Sequence, residues 1–330
     1  MRPLHSILPV AVLVATAAAQ DQATTLAAAC DRADLVVTAT VVRATDPSPQ
    51  WHRMEWRVDQ ALKGDPGAEF SLLEPAGACC GRSLFALAVG DRRLLFLTRT
   101  GRTLHPFGGS RGVVPTTVAL TDHVRRLLAA TTTAGRTALL ARSLDAAEPR
   151  IAHDAAHALA AMPTLDLGGD DRDRACAALR LALTRGQTTA ASLIEVIART
   201  ADITTLDEVL PIYLAETRDD RARMLRQGLA RVQPELLADR LPAHLAGDRH
   251  RELRAAELLR QAGGQTAVAA MRQLLSRTGC PRVKLCLTEG LLAAGTGATS
   301  LRRDVPQPVL ELARRRTSKA TLRTIDPTIR

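Results

Sequence analysis

Residues 54–59 read MEWRVD, and this stretch decides the fold of the first part of the chain. Positions 54, 56 and 58 are apolar, whereas positions 55, 57 and 59 are charged. Successive side chains of a β-strand point to opposite faces, so the alternation places the apolar groups on one face and the charges on the other. The segment is therefore predicted to be a half-buried strand.

Three further segments have strand character, at residues 35–42, 70–73 and 93–98. The first is nearly continuous in apolar and β-branched residues, and the other two are short and apolar. Turn-forming residues separate the segments, at 46–49, 63–67, 90–91 and 101. Several short strands with intervening turns predict a small β-barrel or sandwich.

After Pro115 the apolar residues recur with the 3.6-residue period of an α-helix, and this pattern continues to the end of the chain. Predicted helices begin near Thr121, Pro149, Asp171, Thr188, Asp219, Asp248, Gln265 and Pro281. We expect glycines to end four helices, namely Gly186, Gly247, Gly263 and Gly279. Helices with one apolar stripe bury it against one another, either as stacked pairs in an α-solenoid or in one globular bundle.

The first nineteen residues have the layout of a secretory signal peptide. Arg2 precedes an apolar run at residues 7–19, which ends in three alanines before Gln20. The run is shorter than the roughly 20 apolar residues that span a bilayer, so we expect export to the periplasm or the extracellular space without a transmembrane segment. The predicted organisation is a signal peptide at 1–19, a β-domain at 20–118 and a helical domain at 119–330.

The net charge of +10 belongs almost entirely to the predicted helical domain, because residues 20–124 carry eleven acidic and eleven basic residues. A basic domain favours anionic partners. Only three of the 44 basic residues are lysines, and aromatic residues, on which bases would stack, make up 2% of the chain. For an exported chain this composition argues against nucleic acid and favours a protein or an anionic envelope component as the partner.

Short motifs within residues 30–96 resemble the netrin-like family of OB-type barrels, which includes the tissue inhibitors of metalloproteinases. The matching residues are ADLVV at 33–37, LKG at 62–64, CG at 80–81, VGD at 89–91 and LLFL at 94–97. The resemblance implies a small OB-type barrel with a disulfide from Cys30 to either Cys79 or Cys80.

Eukaryotic inhibitors of this family chelate the protease zinc through a cysteine at the mature N-terminus. Here the predicted mature N-terminus is Gln20, so that mode of inhibition is not implied. A protease inhibitor that acts through an insertion loop such as residues 65–67 is the alternative function that the resemblance leaves.

Residues 149–162, PRIAHDAAHALAAM, resemble a HEAT-repeat helix, and residues 248–263 share the charged opening and the Ala/Leu face. This resemblance implies a scaffold or binding surface rather than chemistry. The predicted fold is a multidomain β plus α chain, in which a small OB-type β-barrel precedes an all-α HEAT-like solenoid or helical bundle.

His153 and His157 in the motif HDAAH are four residues apart, the spacing by which two imidazoles share zinc in HExxH proteases. A helical projection places both histidines opposite the apolar arc, so we expect them to face solvent. Asp154 stands where those enzymes carry the glutamate base, and Asp171 is a candidate third ligand. An envelope metallohydrolase is therefore an alternative function.

Taken together, these features predict an exported, non-enzymatic binding or scaffolding protein with a basic helical surface. We predict no catalytic residues, no cofactor and no resident metal. The metallohydrolase and the protease inhibitor are the alternatives.

Overall fold

The computed structural model describes residues 25–48, 51–75, 87–101, 103–200, 203–245 and 247–325. The chain divides into two compact units, Met1–Met162 and Pro163–Arg330. The first contains a curled antiparallel sheet and the second is helical within the described residues, so the predicted β plus α architecture is confirmed.

The sheet of the first unit contains six described strands, which form a half-barrel. Their order is β3-β2-β1-β4-β5, and β6 pairs with β4. Every pairing between these strands is antiparallel. The strands are β1 Leu35–Ser48, β2 Trp51–Lys63, β3 Glu69–Pro75, β4 Arg92–Thr100, β5 Thr103–Pro106 and β6 Val113–Pro115.

The core of the sheet follows the alternation in the sequence. Trp56 on β2 is fully buried and pairs with Val41 on β1 and Phe70 on β3. The nearly continuous apolar run of β1 is explained by burial on both of its faces, since adjacent Val36 and Val37 are both inaccessible to solvent.

The turn predicted at residues 46–49 is wrong in its extent, because β1 continues to Ser48. The pairing of β1 with β2 shifts register between Thr45 and Ser48. Pro47 falls within this irregularity, where a residue without an N–H costs no ladder hydrogen bond.

Four helices belong to the first unit: α1 Leu26–Arg32, α2 Val118–Ala129, α3 Thr133–Ser143 and α4 Pro149–Ala161. The change from strand to helix occurs at residues 115–118, where the change of period predicts it. The compact unit nevertheless continues through α4, because α1 packs on both α2 and α4.

The helices of the second unit alternate between two layers. In one layer α6 packs on α8, α10 on α12, and α12 on α14; in the other α7 packs on α9 and α9 on α11. None of the described helices has both the length and the apolar character that a membrane crossing requires. They are α5 Gly169–Arg185, α6 Thr189–Arg199, α7 Ile203–Ala215, α8 Asp219–Leu229, α9 Pro234–Leu245, α10 Arg249–Ala262, α11 Gly264–Arg277, α12 Pro281–Ala293, α13 Ala298–Leu301 and α14 Gln307–Ile325.

Candidate functional site

His153 and His157 lie on α4 in the first unit, and their ring centroids are 4.5 Å apart. His153 is exposed and His157 is half-buried. Partial burial lowers the pKa of both imidazoles, and Arg150 lowers that of His153 further. Asp171 is half-buried at the start of α5 in the second unit. Among the described residues, no three His, Cys, Asp or Glu side chains form a group that could hold a metal ion.

Asp154, between the two histidines, is 4% exposed and points into the first unit. Its Oδ1 accepts the Leu26 N–H at 2.6 Å, at the start of α1. Desolvation raises the pKa of this carboxyl to about 6, partly offset by backbone hydrogen bonds from Leu26 and Ala27. Its other oxygen has no hydrogen-bond partner within the described part of the chain. Asp154 therefore joins α4 to α1 and is not placed as a solvent-facing general base.

The fold also brings a serine and a histidine together, a pair that no sequence motif indicated. Ser143 Oγ lies 3.4 Å from His123 Nδ1, and both side chains are buried. The Ser143 hydroxyl donates to the Leu139 carbonyl at 2.7 Å, so its proton is directed away from the imidazole. Burial lowers the pKa of His123 to about 4. The two side chains therefore pack between α2 and α3 and are not arranged as a nucleophile and its base.

The motif residues of the predicted barrel hold the sheet and α1 together. Lys63 Nζ donates to the carbonyl of Cys30 at 2.8 Å and to that of Asp31 at 3.2 Å, at the C-terminal end of α1. The next residue, Gly64, has φ +72°, and a Cβ there would lie 2.7 Å from the Asp34 carbonyl oxygen. Lys63 and Gly64 thus have structural roles, a cationic helix cap and a tight turn.

Cys30 is buried and is not joined to any other cysteine that the structure describes. Burial raises the pKa of its thiol to about 12, which disfavours the reactive thiolate. Cys79 and Cys80 lie outside the described residues. The disulfide between Cys30 and one of them therefore stays a prediction.

In the second unit, ion pairs connect successive helices of the layer that contains α8, α10, α12 and α14. Arg226 on α8 donates to Glu257 on α10 at 2.7 Å, and Arg260 on α10 donates to Glu289 on α12 at 3.0 Å. Glu289 also lies 3.4 Å from Arg316 on α14. The same kind of link thus recurs from one helix to the next and fixes how adjacent helices align.

The hydrogen bonds also define one edge of this unit, where α7, α9 and α11 end and α8, α10 and α12 begin. His250 Nε2 is 3.0 Å from the Glu216 carbonyl oxygen, and Thr278 donates to Glu252 at 2.6 Å. Lys284 Nζ reaches the Asp304 carbonyl at 3.3 Å. We define the basic edge as residues 216–223, 247–254, 277–284 and 302–304.

Positive charge is concentrated at the basic edge, whose four segments contain eleven arginines and lysines against six carboxylates. The segments at the opposite helix ends, 227–236, 260–267 and 292–300, contain two arginines and one carboxylate. Arg249, Arg277 and Arg282 are exposed. The pKa of nearby Asp219 is lowered, mainly by its hydrogen bond from Arg254, and Arg282 contributes to the same field.

No protein-family model matches the chain, and no curated protein matches its sequence. Function is therefore inferred from the charges, contacts and cavities of this chain alone.

Proposed function

We propose that this chain is an exported, non-enzymatic binding protein whose helical unit holds an anionic component of the cell envelope at the basic edge. The first unit is a netrin-like, OB-type barrel in this proposal, and the second is a HEAT-like solenoid. One observation carries the proposal: the basic edge has eleven cations against six carboxylates, whereas the segments at the opposite helix ends have two against one.

A solenoid suits this role because each added pair of helices extends the same edge. Three adjacent segments, 247–254, 277–284 and 302–304, contribute eight of the eleven cations and three of the six carboxylates of the basic edge. A row of fixed cations attracts a polyanion along its length, and salt screens that attraction over about 8–10 Å.

The arginines of the basic edge divide into those that hold helices together and those that are exposed. Arg254 is nearly buried and donates to both Asp219 and Glu257, so it is used in holding α8 and α10 together. Arg249, Arg277 and Arg282 are exposed on the same edge. The buried charges thus position the helices, and the exposed charges are available to a ligand.

Binding of dextran sulfate, a polyanion without acyl chains, tests the proposal. We expect the full chain to bind it at low salt, and we expect the triple variant R249Q/R277Q/R282Q to bind at least about tenfold more weakly, because it removes exposed cations from one edge. Neutral dextran should not bind.

The matched control removes the same charge elsewhere, in R231Q/R272Q/R314Q, where all three arginines are exposed. This variant should lose less than about threefold, since remote charges are screened. Equal losses in the two triple variants would mean that net charge alone drives binding, and the proposed edge would be wrong.

A further inference from the structure

The second unit contains a cleft of about 340 Å³ between α9, α10 and α11. Its walls are mainly apolar and include Leu241, Leu245, Leu259 and Leu274. This volume lies within the range of small-molecule sites, about 300–1,000 Å³, which are mostly apolar with a few polar groups.

The cleft lies beside Pro242, which is inside α9 and also lines it. A proline inside a helix has no N–H for the carbonyl four residues earlier, which here belongs to Ala238. Ala238 lines the same cleft. The interruption of α9 is therefore located where the helix borders the open space.

The charged groups of the cleft lie at the basic edge. Gly247, Glu252 and Arg277 line it, and all three belong to segments of that edge. Glu252 accepts the Thr278 hydroxyl at 2.6 Å. Arg277 is exposed at the end of α11. The cleft therefore combines mainly apolar walls with one arginine and one glutamate at the basic edge.

We infer that this cleft binds the single acyl chain of an anionic amphiphile, with the carboxylate or phosphate of the ligand at Arg277. The apolar walls match the chain, and the exposed guanidinium matches the anionic group. Glu252 also lines the cleft and would repel an anion placed beside it, so we expect the anionic group at Arg277. This inference rests on the proposed function in that the basic edge attracts the anion.

Binding of straight-chain carboxylates from octanoate to tetradecanoate, measured by calorimetry below their micelle concentrations, tests the inference. Each added methylene that enters the cleft should lower Kd about fourfold, until the cleft is filled and the dependence levels off. Dodecyltrimethylammonium, which carries an acyl-like chain of similar length and the opposite charge, should bind at least about tenfold more weakly.

Two pairs of variants locate the site. Ala270 lines the cleft and adjacent Ala269 is exposed, so A270F should abolish dodecanoate binding whereas A269F should leave it unchanged. R277Q should weaken dodecanoate at least about fivefold, and R272Q on the same helix should not. Circular dichroism verifies that all four variants remain folded.

The outcomes separate this inference from the proposed function. If dextran sulfate binds at the basic edge while the carboxylates show no chain-length dependence, the cleft inference is wrong and the proposed function stands. If A270F loses dodecanoate binding but R249Q/R277Q/R282Q binds dextran sulfate as well as the unmodified chain does, the cleft inference stands and the proposed function is wrong. Equal dodecanoate binding by A270F and A269F would place the ligand elsewhere and overturn the inference.

Discussion

Asp154 is a buried carboxylate whose pKa of about 6 lies above the ordinary 3.8, because desolvation disfavours its charged form. The folded state therefore binds the proton of Asp154 more tightly than the unfolded state does. This contributes about 3 kcal/mol to the free energy of unfolding below about pH 4, and the contribution is lost as the pH rises through about 6.

D154N should remove this pH dependence and keep an oxygen that accepts the Leu26 N–H. D154A removes that acceptor as well, and it should be less stable than D154N by about 1–3 kcal/mol. Urea unfolding between pH 4 and pH 7 measures both effects. An unchanged pH slope in D154N would show that another group is responsible.

The sequence pattern could have indicated that Asp154 is buried, but it could not have identified the Leu26 N–H as its partner. On a helical projection Asp154 lies 60° from Ile151, at the border of the apolar arc, taking 100° per residue. His153 and His157 lie on the opposite side of this projection; in the structure His153 is exposed and His157 is half-buried. Nothing in the pattern shows that the start of α1 supplies the N–H, because that contact joins residues 128 positions apart.

Gly228 on α8 allows close approach to α6. A Cβ at this position would lie 2.5 Å from the backbone oxygen of Ala191. Since backbone cannot move aside as a flexible side chain can, G228A should destabilise the protein by about 1–3 kcal/mol. Thermal unfolding measures the loss.

The control for G228A is G279A. Gly279 has ordinary φ, and a Cβ there would meet nothing within 4 Å. Its effect should be within about 0.5 kcal/mol. Similar melting temperatures for the two variants would contradict the close contact between α6 and α8.

At the scale of elements, Glu257 accepts from Arg226 at 2.7 Å and from Arg254 at 3.1 Å, and the Arg254 side chain is only 8% exposed. E257Q leaves that buried guanidinium without one of its carboxylates and should cost about 3 kcal/mol. E208Q removes the exposed pair of Glu208 with Arg180 and should cost at most about 1 kcal/mol. Urea unfolding compares them, and equal losses would contradict the structural role of the ion pairs between helices.

For two of the helices that the periodicity did not predict, α7 and α9, the cause can be identified. Proline is found inside α7, at Pro211, and inside α9, at Pro242, and each is a strong breaker in a sequence reading. Both segments remain helical because their apolar faces pack on neighbouring helices. The predicted glycine stops are confirmed where φ is positive, at Gly186, Gly247 and Gly263. The stop predicted at Gly279 is wrong, because α11 already ends at Arg277 and its C-cap is Thr278.

At the scale of the whole molecule, the proposed export rests on residues 1–19, which lie outside the described residues. Production of the chain in a bacterial host should yield an envelope form that begins at Gln20. Mass spectrometry of the N-terminal peptide measures this. Retention of an intact N-terminus in the cytoplasm would contradict export, and the prediction of an envelope partner would lose its basis.

The sequence predicted that the positive charge belongs to the helical part, but it could not predict the edge. Arg249, Arg277 and Arg282 are separated by 28 and by 5 residues, and only the alternation of the helices brings their segments together. The cleft was missed for the same reason, because its walls come from three helices.

The most direct measurement of the central claim is a phenylglyoxal footprint of the arginines, mapped by mass spectrometry with and without dextran sulfate. Bound polyanion should protect Arg249, Arg277 and Arg282, while Arg231 and Arg272 react at unchanged rates. Uniform protection of all five arginines, or protection of Arg231 and Arg272 alone, would contradict a binding edge.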